Sequence, residues 1–276
     1  MALWLAGTAA TAADHHAFSA AAPSPAAAAD AKAVAFALSA GIEHQRVDEL
    51  LASGRRLLRE EGTVPFLSAA VAFPAAAGAL RAGLDLSDGA IDYSGATQGG
   101  QQLSTRTDYR TVRTGVLYEH PLAGRWSLAA GLAHEWRDRT IADQGAVSGL
   151  DERYRNTFAS VGLRWRVRAV GGPIVRADWI RGLASSERVA FRQRFDAVTL
   201  QPGLLQGGRL AVEWPLTMSA RHEVVWALVG SVEWLRADAS PDGRLLAAGV
   251  DVGSVRQPEM HRTAARIGIM RRWSPF

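Results

Sequence analysis

Read two residues at a time, the stretch from Trp126 to Thr140 separates into two surfaces. Trp126, Leu128, Ala130, Leu132, His134 and Trp136 fall on one side; Ser127, Ala129, Gly131, Ala133, Glu135, Arg137 and Arg139 fall on the other. A β-strand sends alternate side chains to opposite faces, whereas a helix would scatter both sets around its axis. The apolar stripe begins and ends with Trp. Ten residues at about 3.3 Å each, tilted by about 40°, rise roughly 25 Å, the apolar height that a membrane-crossing strand must match.

The same two-faced pattern recurs along the chain from residue 33, giving about ten strands. Val34, Phe36, Leu38, Ala40 and Ile42 oppose Ser39, Gly41, Glu43 and Gln45. Leu67, Ala69, Val71 and Phe73 form a second apolar row, and Leu80, Ala82, Leu84 and Leu86 a third, against Arg81, Gly83 and Asp85. Val112, Val116 and Tyr118 oppose Arg113, Gly115 and Glu119, with Leu117 on the polar side. After the Trp126 strand, Ala159 to Val167 oppose Ser160, Gly162, Arg164 and Arg166; Val175, Ala177 and Trp179 oppose Arg176 and Asp178. Leu210, Val212, Trp214 and Leu216 oppose Arg209, Ala211 and Glu213. Val224, Trp226, Leu228, Val232 and Trp234 oppose Glu223, Ser231 and Glu233, and Ala265, Ile267 and Ile269 oppose Arg262, Arg266 and Gly268.

The connections alternate in length, which the strand period does not require. Short links with Pro or Gly follow the even strands, at 73–78, 120–124, 171–173 and 214–221; long links rich in Gly, Ser, Asp, Gln and Thr span 47–63, 87–109, 140–153, 183–207 and 237–261. Aromatic residues gather at both ends of the apolar rows. Phe36, Phe73, Tyr118, Trp126, Trp165, Trp214 and Trp226 lie at one end and Trp136 and Trp234 at the other, where amphipathic rings favour a membrane interface.

In this pattern the chain resembles the bacterial outer-membrane β-barrel proteins over residues 33 to 276. The resemblance implies an all-β, antiparallel, up-and-down transmembrane barrel of about ten strands, with short periplasmic turns, long outer loops and both termini in the periplasm. It also implies that Trp273 and Phe276, in the terminal segment Arg266 to Phe276, are the signal read by the barrel-assembly machinery, although Pro275 interrupts that strand. Residues 1–32 are expected to be a signal-like or disordered Ala-rich leader. Leu3, Trp4 and Leu5 form a short apolar core and Ala10-Thr11-Ala12 a small-residue cleavage site, without a basic segment before them.

Composition narrows the partners. With 48% hydrophobic residues the chain of 276 can bury a large core, yet no run reaches the eighteen apolar residues of a membrane helix. It has no Cys, so disulfides and thiolate metal sites are excluded. The formal net charge is +4, but basic and acidic residues alternate instead of forming blocks, which argues against nucleic acid. The expected partners are the lipid bilayer, the assembly machinery and an unidentified surface ligand; no cofactor or metal is expected.

The polar rows supply the candidate site. Glu43, Arg81, Asp85, Arg113, Glu119, Glu135, Arg137, Arg164, Arg166, Arg176, Asp178, Arg209, Glu213, Glu223, Glu233, Arg262 and Arg266 are expected to line the lumen as a network of paired charges. Structural packing is the leading reading and a narrow charged conduit the alternative. A lipocalin-like soluble barrel would reverse the two faces. His44 and His134 fall on the lipid-facing register and His120 beside a periplasmic turn; His134-Glu135 lacks the second His of a zinc-protease motif. Ten strands is also the number in the omptin proteases, but Asp85, Asp88, Asp92, Asp238, Asp242, Asp251 and His261 reproduce neither of their acidic arrangements, so catalysis is not expected. The segment 92–109, with Tyr, Gln, Thr and Asp, is the expected place for a surface ligand.

Overall fold

In the computed structural model the described residues are 34–96, 102–145, 147–168, 171–192, 195–218 and 224–274. Residues 1–33, where a leader was expected, and residues 97–101, Glu223, Pro275 and Phe276 lie outside them.

Ten strands form the wall: β1 (Ala35–Leu50), β2 (Arg56–Ala75), β3 (Gly78–Ala96), β4 (Gln102–Pro121), β5 (Trp126–Ile141), β6 (Leu150–Arg166), β7 (Ile174–Phe191), β9 (Leu205–Met218), β10 (Val224–Ala237) and β13 (Glu259–Trp273). Each pairs antiparallel with its neighbours, and β1 pairs with β13 from Phe36↔Trp273 to Leu50↔Glu259, so the sheet closes on itself. A short strand, β8 (Val198–Leu200), pairs with the outer end of β7, and β11 (Gly243–Ala247) and β12 (Val250–Val255) form a separate hairpin.

The two faces sort by polarity in the sense that lipid requires. Leu132 on β5, Leu210 and Trp214 on β9 and Ile267 on β13 are each half or more exposed on the outside, while the alternate positions are buried within. In water such a continuous apolar belt would drive association; against acyl chains it is satisfied. Leu117, on the polar register of β4, faces inward and packs with Ala129 and Ala133.

The strands continue well past the belt. β2 and β4 have 20 residues each, about 66 Å along the strand. The segments 47–63 and 87–109, expected as long loops, are therefore mainly sheet: the first link shrinks to 51–55, and β3 and β4 stay paired out to Ala96↔Gln102. The β7–β9 connection carries β8, and the β10–β13 connection carries the β11–β12 hairpin. Above the belt the outward residues turn polar, as with Arg46, Asp48, Arg59 and Glu61, so the lipid signature ends while the hydrogen-bonded ladder does not. At the periplasmic end β2 and β3 are joined by Ala76 and Ala77 alone, with Ala76 at φ 49°, and β9 runs through Pro215 instead of ending before it.

Candidate functional site

Every wall strand contributes buried side chains to the interior. Of the interior charges read from the polar rows, Arg166 is half-buried at the periplasmic end and Glu223 lies outside the described residues; the other fifteen are buried. They pair in layers. Near the periplasmic end Glu119 accepts from Arg164 at 2.5 Å and lies 3.7 Å from Arg81, and Glu213 accepts from Arg272 at 2.9 Å. Asp178 takes both Arg176, at 2.7 Å, and Arg209, at 2.6 Å.

In the middle layer Arg266 of the last strand donates to Glu43 of the first and lies 3.4 Å from Asp85, which also accepts from Ser68. Its guanidinium stacks 4.7 Å over the Phe66 ring. Phe66 in turn lies so close to Gly268 that a Cβ there would meet the ring at 2.9 Å. Arg113 donates to Glu135, with Arg137 at 3.8 Å from the same carboxylate, and Arg262 lies 4.0 Å from Glu43. Such charges tolerate burial because each meets an opposite charge at short range.

A further layer stands beyond the outer Trp residues and was not among the expected residues. Arg139 of β5 donates to Glu60 of β2 and, at 2.5 Å, to Glu152 of β6. Glu60 also accepts from Thr107 at 2.8 Å and from Tyr109. The Tyr154 hydroxyl lies 2.6 Å from Glu152 and 2.9 Å from Glu187, and Glu49 stands among them. Tyr93 and Tyr109, expected in a ligand-binding loop, are buried here in the lumen. The alternation Glu43, Gln45, Val47, Glu49 was the signal available for this layer.

Above it, at the outer end of the barrel, lies an apolar cluster, the cap. Leu58, Tyr93, Leu103, Ile141, Leu150 and Val189 from the wall meet Val198 and Leu200 of β8 and Leu245 and Val255 of the hairpin. Beside the cap, Asp151 at the start of β6 accepts two hydrogen bonds from Arg192, at 2.8 and 3.2 Å, which hold its carboxyl below the usual carboxylate range.

On the outside, Phe36 stacks on Trp273 and Trp126 on Trp165 at the periplasmic end, with centroids 6.0 and 5.8 Å apart, and Tyr118 stacks on His120. Arg271 lies over Trp226 at 5.6 Å. At the other end His134 meets Trp136 edge-on, and Trp179 joins Trp234 through the shared neighbour Gly208. His44 and His134 bond to Thr63 and Thr157 on the same outer surface. The rim carboxylates do not converge. Asp88 and Asp92 face outward on β3, Asp85 is committed to Ser68 and Arg266, and His261 pairs with Glu259, which Arg236 also holds. Among the described residues no group of three His, Asp or Glu side chains is arranged to hold a metal.

No protein-family profile matches the sequence, and no curated protein matches it. Solved structures do. The chain is similar to the outer-membrane protease OmpT from Escherichia coli, with a TM-score of 0.54 at 9% identity, covering 87% of this chain and 97% of that one. The translocator domain of the autotransporter NalP from Neisseria meningitidis aligns with a TM-score of 0.40 at 12% identity over 88% and 89% of the two chains. OprG from Pseudomonas aeruginosa gives 0.38 at 7% over 88% and 97%. The likeness to OmpT is one of fold: the chain is a closed antiparallel β-barrel of ten wall strands with an apolar belt on its outside.

Proposed function

We propose that this barrel is a non-conducting outer-membrane protein whose role is structural or surface-binding, neither transport nor catalysis. The observation that carries the reading is the burial of the lumen. Arg113, Arg137, Arg139 and Arg262 are among the largest fully buried side chains of the chain. A water-filled pore leaves its lining charges accessible, whereas these are packed against one another beneath an apolar cap. The outward Asp88 and Asp92 argue likewise against a rim hydrolase, which needs carboxylates aimed at one point.

What remains for contact with the surroundings is the outer end, where the β11–β12 hairpin presents Arg244, Val250 and Asp251 to solvent. The test is to reconstitute the purified chain in a planar lipid bilayer, with insertion checked by protease protection. A silent bilayer across a range of salt is expected. Stable unitary steps that change when Arg113 or Arg266 is replaced would overturn the closed-lumen reading in favour of a narrow channel.

A further inference from the structure

The outer charge layer is unbalanced. Glu49 of β1, Glu60 of β2, Glu152 of β6 and Glu187 of β7 are at most 1% exposed, and among the described residues they surround one guanidinium, that of Arg139 on β5. The other polar groups facing them are Tyr93 of β3, Thr107 and Tyr109 of β4 and Tyr154 of β6. Arg137, one layer deeper, stacks on Tyr109 and lies beside Glu135. Four ionised carboxylates against one guanidinium would leave an excess of three negative charges out of contact with bulk water, which burial does not permit.

The hydrogen-bond partners of these carboxyls constrain where protons sit. Glu60 accepts from Arg139, Thr107 and Tyr109, a set of donors that suits an ionised carboxylate. Glu152 accepts from Arg139. The Tyr154 hydroxyl has one hydrogen and lies within bonding distance of two carboxyl groups, Glu152 at 2.6 Å and Glu187 at 2.9 Å. If its hydrogen goes to Glu152, the contact with Glu187 is a hydrogen bond only when Glu187 carries a proton and donates it to the phenol oxygen. Neither oxygen of Glu49 has a hydrogen-bond partner among the described residues. A buried carboxyl in that position is tolerable only in its neutral form.

The layer lies directly beneath the cap. On four strands the inward residue two positions further out than the charged one belongs to the apolar cluster: Leu58 beyond Glu60, Ile141 beyond Arg139, Leu150 beyond Glu152 and Val189 beyond Glu187. Glu187 also stands opposite Leu200 of β8 in the sheet register, and Tyr93 belongs to both layers. Any water that came to solvate a new charge here would have to pass the cap.

From these contacts we infer that Glu49 and Glu187, the latter joined to Glu152 through Tyr154, form a proton-held latch: while the two keep their protons the cap formed by β8 and the β11–β12 hairpin stays seated, and removing them lifts it. Each deprotonation moves one proton to bulk solvent and leaves one carboxylate, which water entering from the outer side then hydrates. The deeper layers around Arg113, Glu135 and Arg266 stay closed, so the latch opens an outer chamber and not a pore.

The chain has no Cys, so a single engineered thiol reports on the cap without interference. Leu245→Cys places it in the cap and Ser53→Cys in the exposed β1–β2 link. Both proteins, reconstituted in phosphatidylcholine vesicles, are labelled with a sulfonated maleimide across a pH range, and the ratio of the two rates cancels the titration of the thiol itself. The ratio is expected to climb by up to about tenfold per pH unit for each proton released. In a Glu49→Gln, Glu187→Gln background it is expected to stay flat at its lowest value. A flat ratio in the parent, or an unchanged climb in the Gln background, overturns the latch. If that background does not fold, infrared spectroscopy of the parent decides: a protonated-carboxyl band must vanish over the pH interval in which the Leu245→Cys site becomes reactive, and a band that is absent or constant through that interval refutes the proposal.

Discussion

Arg139 and Glu60 are 79 residues apart in sequence, yet the Arg139 guanidinium donates to the Glu60 carboxylate from across the lumen, with β3 and β4 standing between their strands in the sheet. The same guanidinium holds Glu152 on the other side. One side chain thus ties β2, β5 and β6 together at the outer end of the barrel.

Arg139→Met is expected to destabilise the folded barrel by about 3–5 kcal/mol, because it strands two carboxylates without a counter-charge. The triple variant Arg139→Met, Glu60→Gln, Glu152→Gln removes the uncompensated charges and is expected to recover most of that loss. Urea unfolding in lipid vesicles, followed by Trp fluorescence, measures both. Equal losses in the single and triple variants would mean that packing of the Arg stem, not charge, is what matters.

How much of this was legible follows from what lay outside each strand. Where lipid sits on one face, as at Trp126 to Trp136, alternation is unambiguous, and Glu43, Arg113, Glu135 and Arg266 could be placed inward from sequence. Beyond the outer Trp residues, Arg46 and Asp48 flank Val47, and Arg59 and Glu61 flank Glu60, so both faces are polar and the stretch has the composition of a loop. Glu49, Glu60, Glu152 and Glu187 were hidden for that reason. The pairings were hidden too, since register between strands as distant as β2 and β5 leaves no local trace.

The β2–β3 turn offers a stabilising change. Ala76 has φ 49°, a left-handed conformation that costs an L residue with a Cβ roughly 1 kcal/mol and that Asn adopts more readily. Ala76→Asn is expected to raise the unfolding free energy by about 0.5–1 kcal/mol, read from the same urea titration. A loss of stability would show that the hydrogen bonding of the turn, not its backbone angle, sets the preference for Ala.

Removing the hairpin tests where the seal lies. Deletion of residues 244–254 takes Leu245 out of the apolar cap but leaves the Arg266–Glu43 and Arg113–Glu135 layers in place. Bilayers containing this variant are expected to stay silent. Conductance on deletion would locate the barrier in the cap alone.

Acid acts on a different contact. Arg192 holds the Asp151 carboxyl below its usual range, so this tether adds stability above the unfolded carboxylate value of about 3.9 and loses it as pH falls through the lower folded value. Thermal stabilities of the parent and Asp151→Asn are expected to differ modestly near pH 6, since the pair is partly exposed, and to converge in strong acid. A gap that persists at the lowest pH would assign Asp151 another role.

The bond from Arg266 to Glu43 spans 223 residues and lies on the seam where the last strand meets the first. In a sheet whose seam is open, Glu43 and Arg266 stand on opposite free edges, so for this pair charge neutralisation and closure of the ring are the same event.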